Sequence, residues 1–146
     1  MRKFAYSVSQ MSQVAIVCPP KMAGKDFNLQ AATLANGRTH VIEMRGPLTL
    51  SGVSRLREAV QFSTEPQLVL LMPDVPYVDS SGAGALVNVY VSCQRRGRKL
   101  GIVGVSPRVR DLMRITMVER LFTFYESVDL AVEDMRDKAA DVVGFA

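Results

Sequence analysis

The stretch VPYVDSSGAGALV, residues 75–87, decides how the rest of the chain is interpreted. In it an apolar run stops at Asp79 and two serines, Ser80 and Ser81, and a second apolar run follows two spaced glycines. This pattern predicts a strand, a tight turn and a helix, with Asp79 ending the strand and both serines in the turn. A helix N-terminus exposes unpaired N–H groups and positive dipole, so a hydroxyl, a carboxylate or a phosphate is well tolerated there.

The two glycines mark the predicted start of the helix. Gly82 and Gly84 open it, and we expect it to continue over residues 83–96 until Gly97, which is a common helix stop. Loops at strand ends usually carry function in α/β proteins, yet serine and aspartate also cap helices routinely. From this stretch alone, a functional and a purely structural role for the serines are both open.

Length and composition describe an ordinary globular domain. The chain has 146 residues, of which 48% are apolar and 22% charged, and no apolar run approaches the roughly 20 residues of a membrane span. We see no secretory signal, so we expect a cytoplasmic protein without a membrane span. Cys18 and Cys93 lie far apart without metal-ligand spacing, and His40 is the only histidine, so we expect no metal and no other cofactor.

Positive charge is concentrated in two places. The formal net charge is +4, and much of the excess lies in RRGRK, residues 95–99, and in Arg108, Arg110 and Arg114. A nucleic-acid site that binds bases by stacking would place aromatic residues among the basic ones. Neither cluster contains an aromatic residue. We interpret RRGRK as a solvated helix end whose arginines, Arg98 included, contribute little to stability. We expect no direct nucleic-acid binding. If the basic clusters have a function, binding to an acidic protein partner is the less demanding interpretation.

Hydrophobic periodicity predicts the other elements. Residues 1–26 show no clear period, and we expect a poorly ordered extension followed by one domain over residues 27–142. Two β-leaning segments flank Asn36-Gly37, a strong hairpin signal, and a helix with Ser51 as its cap follows them. Further along the chain, QLVLLMPDV (67–75) predicts a strand covered on both faces, KLGIVGV (99–105) a short strand, Ser106-Pro107 a helix start, RLFTFYE (120–126) a strand, and Ser127 the start of a closing helix. The order is ββαβαβαβα, an α/β domain with a mixed sheet of about five strands and about four helices.

The predicted helix over residues 83–96 carries two apolar stripes. One faces the sheet, whereas Val87 and Val91 lie i,i+4 on another. A helix covered on one side by a sheet has no need of a second stripe, so we predict that Val87 and Val91 form part of a partner-binding surface. Burial of both stripes between neighbouring elements is the alternative.

Catalytic and nucleotide-binding motifs fit the opening stretch poorly. A serine hydrolase would need a glycine before its nucleophile and a histidine base, and only Ser80 with His40 is available. A P-loop needs a Gly-Lys-Ser/Thr sequence, and a dinucleotide fingerprint needs a third glycine where Val87 stands. A small serine hydrolase using Ser80 is kept as a less favoured alternative.

From about His40 to Val132 the chain resembles the STAS family, whose best-known members are anti-sigma factor antagonists. The resemblance lies in VIEMRGPL (41–48), VDSSGAGALV (78–87) and GRKLGIVGVSPRVRDLMRITMVERLFTFYESVDLAV (97–132), the last two in the expected order and spacing. It implies a sheet with helices mainly on one face, no catalytic activity, and binding to an anti-sigma factor of the serine-kinase type.

The resemblance also implies a regulated serine. In the family the serine directly after the motif aspartate is phosphorylated, which is Ser80 here, with Ser81 as the alternative. The unphosphorylated protein would bind the anti-sigma factor and so release a sigma factor, and the phosphorylated protein would let go. The expected partner-binding residues are Asp79, Ser80, Ser81, Gly82, Val87, Val91 and Thr49. A STAS subunit of a stress-sensing complex or of a lipid transporter is the alternative, and weak homodimerisation is a further expectation.

Two positions depart from the family pattern. Many antagonists have an acidic residue shortly after the glycine of the second strand, where this chain has Pro47 and Thr49. They often have an aspartate in the strand before the phosphorylated serine, where this chain has Leu71. In the family both acids are associated with partner docking and phosphotransfer.

Overall fold

The computed structural model describes residues 27–145, with side chains as far as Arg136. The expectation for residues 1–26 lies outside the described residues. The strands are β1 (Asn28–Thr33), β2 (Thr39–Arg45), β3 (Gln67–Asp74), β4 (Lys99–Val103) and β5 (Phe124–Tyr125), and the helices are α1 (Leu50–Phe62), α2 (Ser80–Arg96), α3 (Pro107–Ile115) and α4 (Val128–Phe145). The predicted order ββαβαβαβα is confirmed.

The five strands form one mixed sheet in the order β1-β2-β3-β4-β5. β1 pairs antiparallel with β2, and every later pair is parallel. The predicted hairpin joins β1 to β2, and Gly37 adopts a φ of +71° there. The Asn36 side-chain oxygen closes the turn by accepting hydrogen bonds from the backbone N–H groups of Arg38, at 2.8 Å, and Thr39, at 3.1 Å. Asparagine and glycine thus provide the turn chemistry that fixes the register.

Side chains alternate between two cores, one on each face of the sheet. We call these the front core and the back core. Three helices cover the front: Leu56 of α1, Leu86 of α2 and Met113 of α3 pack there with the β3 residues Leu68 and Leu70. On the back, Val128, Ala131 and Met135 of α4 pack against Val41, Val69, Leu71 and Val103. With three helices against one, the expectation of helices mainly on one face is confirmed.

The boundaries of α1 and β5 differ from the sequence-based expectation. Thr49, not Ser51, is the residue before the first turn of α1, and its side chain makes no capping hydrogen bond. The strand predicted over residues 120–126 is mostly absent, because Glu119–Leu121 forms a turn of 3-10 helix and only Phe124–Tyr125 joins the sheet. Phe122 instead turns into the front core, where its ring meets Tyr90 edge to face.

The interpretation of RRGRK as a solvated helix end is wrong for Arg98. Gly97 ends α2 in the left-handed conformation with a φ of +69°, and this reversal turns Arg98 inward until only 8% of it is exposed. Its guanidinium donates to the Glu65 carbonyl at 2.6 Å and to Ser63 Oγ at 2.9 Å. Arg98 therefore joins the segment after α1 to the start of β4, whereas Arg95 remains exposed.

Among the described residues, no helix is both long enough and apolar enough to cross a membrane.

Candidate partner-binding site at the start of the second helix

The DSSG sequence begins α2 earlier than its residue types predicted. β3 ends at Asp74, and the helix starts at Ser80 instead of Ala83. Asp79 is the capping residue, and its side-chain Oδ1 accepts a hydrogen bond from the Gly82 N–H at 2.8 Å. Both serines therefore lie in the first helical turn rather than in a preceding loop. The cap satisfies one otherwise unpaired N–H group and so stabilises a helix start made of residues with modest helix propensity.

Gly82 permits a close contact between α2 and the segment after β2. A Cβ atom at this position would lie 2.3 Å from the Leu48 carbonyl oxygen and 2.7 Å from Val78 Cγ1. No side chain fits in that space. Backbone bonds hold the same two segments together, because the Asp79 N–H donates to the Leu48 carbonyl at 3.2 Å and the Leu48 N–H donates to the Tyr77 carbonyl at 3.1 Å.

The contact at Leu48 brings Thr49 beside the start of α2. Thr49 is the next residue in the chain and is half-buried, with its Oγ1 3.3 Å from Ser51 Oγ. The sequence-predicted residue Thr49 therefore lies one residue from the Leu48 carbonyl, at which Asp79 and Gly82 approach the segment after β2. Two exposed apolar side chains flank this contact in the chain: Leu50 is 71% exposed and Tyr77 is 44% exposed. Sequence reasoning missed both, because no periodic pattern distinguishes an exposed apolar residue at an element end from a buried one.

One face of α2 points away from the sheet and carries Ser80. Ser80, Gly84, Val87 and Val91 follow the spacing i, i+4, i+7 and i+11, which places them on a single helix face. Ser80 and Gly84 are exposed, Val87 is half-buried and Val91 is 41% exposed. We call these four residues the outward face of α2. The alternative that both apolar stripes of this helix are buried is therefore wrong for Val91.

Ser81 occupies a different side of the helix. It is half-buried and lies one residue, about 100°, around the helix from Ser80. Ala85, Asn88 and Ser92 follow it at helical spacing, and all three line the groove between α1 and α2. The two serines thus face different surroundings, and only Ser80 shares a face with Val87 and Val91.

The structure separates His40 from Ser80. His40 lies early in β2 and pairs with Leu68 at the start of β3, six residues before that strand ends, which corresponds to about 20 Å along the sheet. The imidazole is buried, and its Nδ1 lies 3.3 Å from Thr33 Oγ1 and 3.6 Å from Glu65 Oε1. Burial, and secondarily the positive charge of Arg98, hold the pKa of His40 below its usual value even though Glu65 acts in the opposite direction. This histidine cannot serve as a base for Ser80, and the serine hydrolase alternative loses its base.

The two departures from the family pattern lie in different environments. Pro47 is half-buried in the segment beside the start of α2, next to Leu48. Leu71 is 2% exposed and packs in the back core beneath α4. An acidic side chain at position 71 would therefore be buried among apolar groups in this protein.

Within residues 27–136, no three His, Cys, Asp or Glu side chains come together in a group that could hold a metal ion.

Comparison with known proteins identifies the family. The model of the STAS domain matches residues 30–131, which is more than half of the chain. The chain belongs to the STAS domain family. A relative from Thermotoga maritima, named "Putative anti-sigma factor antagonist", is 26% identical over 72 residues, which cover 49% of this chain and 64% of that protein. The chain therefore matches less than two thirds of this relative's length.

Solved structures show the same fold at lower identity. The anti-sigma factor antagonist SpoIIAA in its unphosphorylated form is 18% identical, with a TM-score of 0.61 over 77% of this chain and 97% of that one. SpoIIAA has also been solved in its phosphorylated form, which is 16% identical with a TM-score of 0.56 and covers 75% of this chain and 98% of that one. The structure of SLC26A9 is 18% identical, with a TM-score of 0.63 over 70% of this chain and 20% of that one.

Proposed function

We propose that the protein is an anti-sigma factor antagonist that binds a serine-kinase anti-sigma factor and is switched off by phosphorylation of Ser80. The observation that carries this proposal is the exposure of Ser80 at the first residue of α2, on the same face as Val87 and Val91. Membership of the STAS family and a relative named for this activity support it. The protein would act in the cytoplasm, where sigma factors meet RNA polymerase.

The outward face of α2 suits a protein partner. Gly84 leaves the middle of this face flat, since nothing lies within 4 Å of the position its Cβ would take. A partner can therefore approach the helix backbone closely and bury the exposed part of Val91. Leu50 and Tyr77 would extend the apolar contact on the side of Thr49. The hydroxyl of Ser80 would lie at the edge of the interface.

Phosphorylation of Ser80 would change this surface without unfolding the domain. Phosphate adds about two negative charges at neutral pH. At the first residue of a helix it meets unpaired N–H groups and the positive end of the dipole, both of which are favourable. Asp79 repels it, but Ser80 is exposed, so solvent screens that repulsion. The change in charge and bulk would instead exclude the partner from the outward face.

The decisive experiment begins by capturing partners from a lysate of the source organism and identifying them. The captured anti-sigma factor is then purified and incubated with the protein and ATP, and the modified residue is mapped by mass spectrometry. We expect phosphate on Ser80. Phosphate on Ser81 alone would move the regulated position by one residue, and no phosphate anywhere would contradict the regulatory part of the proposal. Capture of a membrane transporter or a stress-sensing complex alone would contradict the choice of partner.

Substitutions separate regulation from folding. Ser80→Glu should lose affinity for the anti-sigma factor while its Tm stays within about 3 °C of the wild type, because the position is exposed. Ser80→Ala should bind without responding to ATP, and Ser81→Ala serves as the matched control that still responds. If the serines only shape the turn, Ser80→Ala would lower stability and leave the ATP response unchanged.

A further inference from the structure

A groove runs between α1 and α2 on the front of the molecule. Its volume is about 440 Å³, and it is open to solvent along one side. Val53 and Val60 of α1 and Val89 of α2 supply apolar surface, and Val91 stands at its rim. The groove follows α1 from Val53 to Gln61, or about 12 Å, which is a little over two turns of helix. Its dimensions suit a short segment of another chain.

The described charged side chains that line the groove all have one sign. Arg57, Arg95 and Arg96 line it, and no aspartate or glutamate within residues 27–136 does. Arg96 makes one long hydrogen bond to the Ser63 carbonyl at 3.4 Å, whereas Arg57 and Arg95 have no ion pair within residues 27–136. Arg95 and Arg96 compensate the C-terminal dipole of α2. Arg57 lies in the middle of α1, so a helix dipole gives no reason for its position.

We infer that this groove binds an acidic amphipathic segment of a partner protein. Apolar side chains of the segment would contact the valines, and its carboxylates would pair with Arg57 and Arg95 across the groove. The amide of Asn88 and the hydroxyl of Ser92 offer hydrogen bonds on the α2 side. An inorganic anion would make no use of the apolar floor, so charge and apolarity together favour a peptide.

The chain's own N-terminal segment is a poor occupant. Residues 1–26 contain four basic side chains and one acidic one, Asp26, so they carry the same sign as the groove. The proposed site shares Val91 with the outward face of α2 but lies far from Ser80. Arg95 lies fifteen residues after Ser80 on the same helix, about 22 Å away, and binding in the groove requires no phosphorylation.

The test uses two synthetic helical peptides of about fifteen residues. One carries leucines on one face and glutamates on the other, and the second has lysine in place of every glutamate. We expect the acidic peptide to bind with micromolar affinity that weakens as salt is added, and to shift the NMR signals of Ala85, Val89 and Ser92. The lysine peptide should not bind. Absence of acidic-peptide binding at millimolar concentration, or shifts confined to other helices, would overturn the inference.

Matched variants distinguish binding by the arginines of the groove from a general effect of net charge. Arg57→Gln with Arg95→Gln should weaken acidic-peptide binding about tenfold or more. Arg108→Gln with Arg120→Gln is the control, because it removes the same charge from exposed arginines outside the groove. Equal weakening by both pairs would mean that only net charge matters and would overturn the inference. Inorganic phosphate that competes equally well for the site would also overturn the inference. So would self-association of the protein that is abolished by Arg57→Gln with Arg95→Gln, because a second copy would then fill the groove.

Discussion

Gly82 and Gly84 are two residues apart at the start of α2, yet their surroundings are opposite. A Cβ at Gly82 would meet the Leu48 carbonyl oxygen at 2.3 Å, and one at Gly84 would meet nothing within 4 Å. Gly82→Ala should therefore lower the free energy of unfolding by about 2 kcal/mol or more, because backbone atoms must shift. Gly84→Ala should raise it by about 0.5–1 kcal/mol, because alanine favours the helix. Urea unfolding of both variants checks the contrast, and equal effects would contradict it.

The same residues show what a sequence can and cannot predict at this scale. Aspartate, serine and glycine in succession predicted a helix start, and the start is there. Its position was wrong by three residues, because serine and glycine have modest helix propensity and were assigned to a turn. The hydrogen bond from Gly82 to Asp79 overrides that propensity. The need for glycine at position 82 comes from Leu48, a residue far away in the chain, so no local pattern reports it.

At the level of elements, Arg98 connects α1, β3 and β4 through hydrogen bonds to the segment between α1 and β3. Replacing it with glutamine would leave the Glu65 carbonyl and the Ser63 hydroxyl without this donor in a largely buried place. We expect Arg98→Gln to lower the free energy of unfolding by roughly 2–4 kcal/mol. Arg95→Gln, three residues away and exposed, should change it by less than about 0.5 kcal/mol. Thermal and urea unfolding of the pair measure this, and indistinguishable variants would contradict the structural role of Arg98.

Elements with strong hydrophobic periodicity were predicted well, whereas elements whose extent depends on a few residues were predicted poorly. Ser106 and Pro107 begin α3 as expected, with Ser106 Oγ accepting from the Val109 N–H at 3.3 Å. The apolar segment over residues 120–126 looked like a strand, but Phe122 is drawn into the front core and leaves only two residues for β5. Tertiary packing, rather than local sequence, therefore determines the length of β5. Likewise, RRGRK looked uniformly solvated until the reversal at Gly97 buried one of its arginines.

The stability of the whole molecule should depend on pH through His40. Burial holds the folded-state pKa of this imidazole below its usual value, so the unfolded chain binds the additional proton first as the pH falls. The free energy of unfolding is therefore expected to decrease as the pH falls below about 6.5, by at most ~1.4 kcal/mol per pH unit for one proton. Within the described residues, His40 Nε2 is buried without a hydrogen-bond partner, which adds to the cost of a charged ring.

Urea unfolding between pH 8 and pH 5.5 measures this dependence. His40→Gln should flatten the curve in that range, whatever its effect on overall stability. Burial acts to raise the pKa of Glu65, but the hydrogen bond from Thr33, backbone N–H groups and the charge of His40 together outweigh burial, so this pKa also lies below its usual value. The stability linked to that carboxylate is lost only at lower pH, below about 4.5. An unchanged slope in His40→Gln between pH 8 and pH 5.5 would contradict the assignment.

The strands stand in the sheet in the same order as in the chain, and this has a consequence for synthesis on the ribosome. Each emerging strand finds its neighbour already in place, so the front of the domain can assemble unit by unit as the chain grows. The back differs, because α4 covers Val69 and Leu71 there and follows every strand of the sheet in the chain. A nascent chain that has not yet been extended beyond Ser127 leaves that apolar face uncovered by α4, so the face can associate with other apolar surfaces until α4 is made and packs on it.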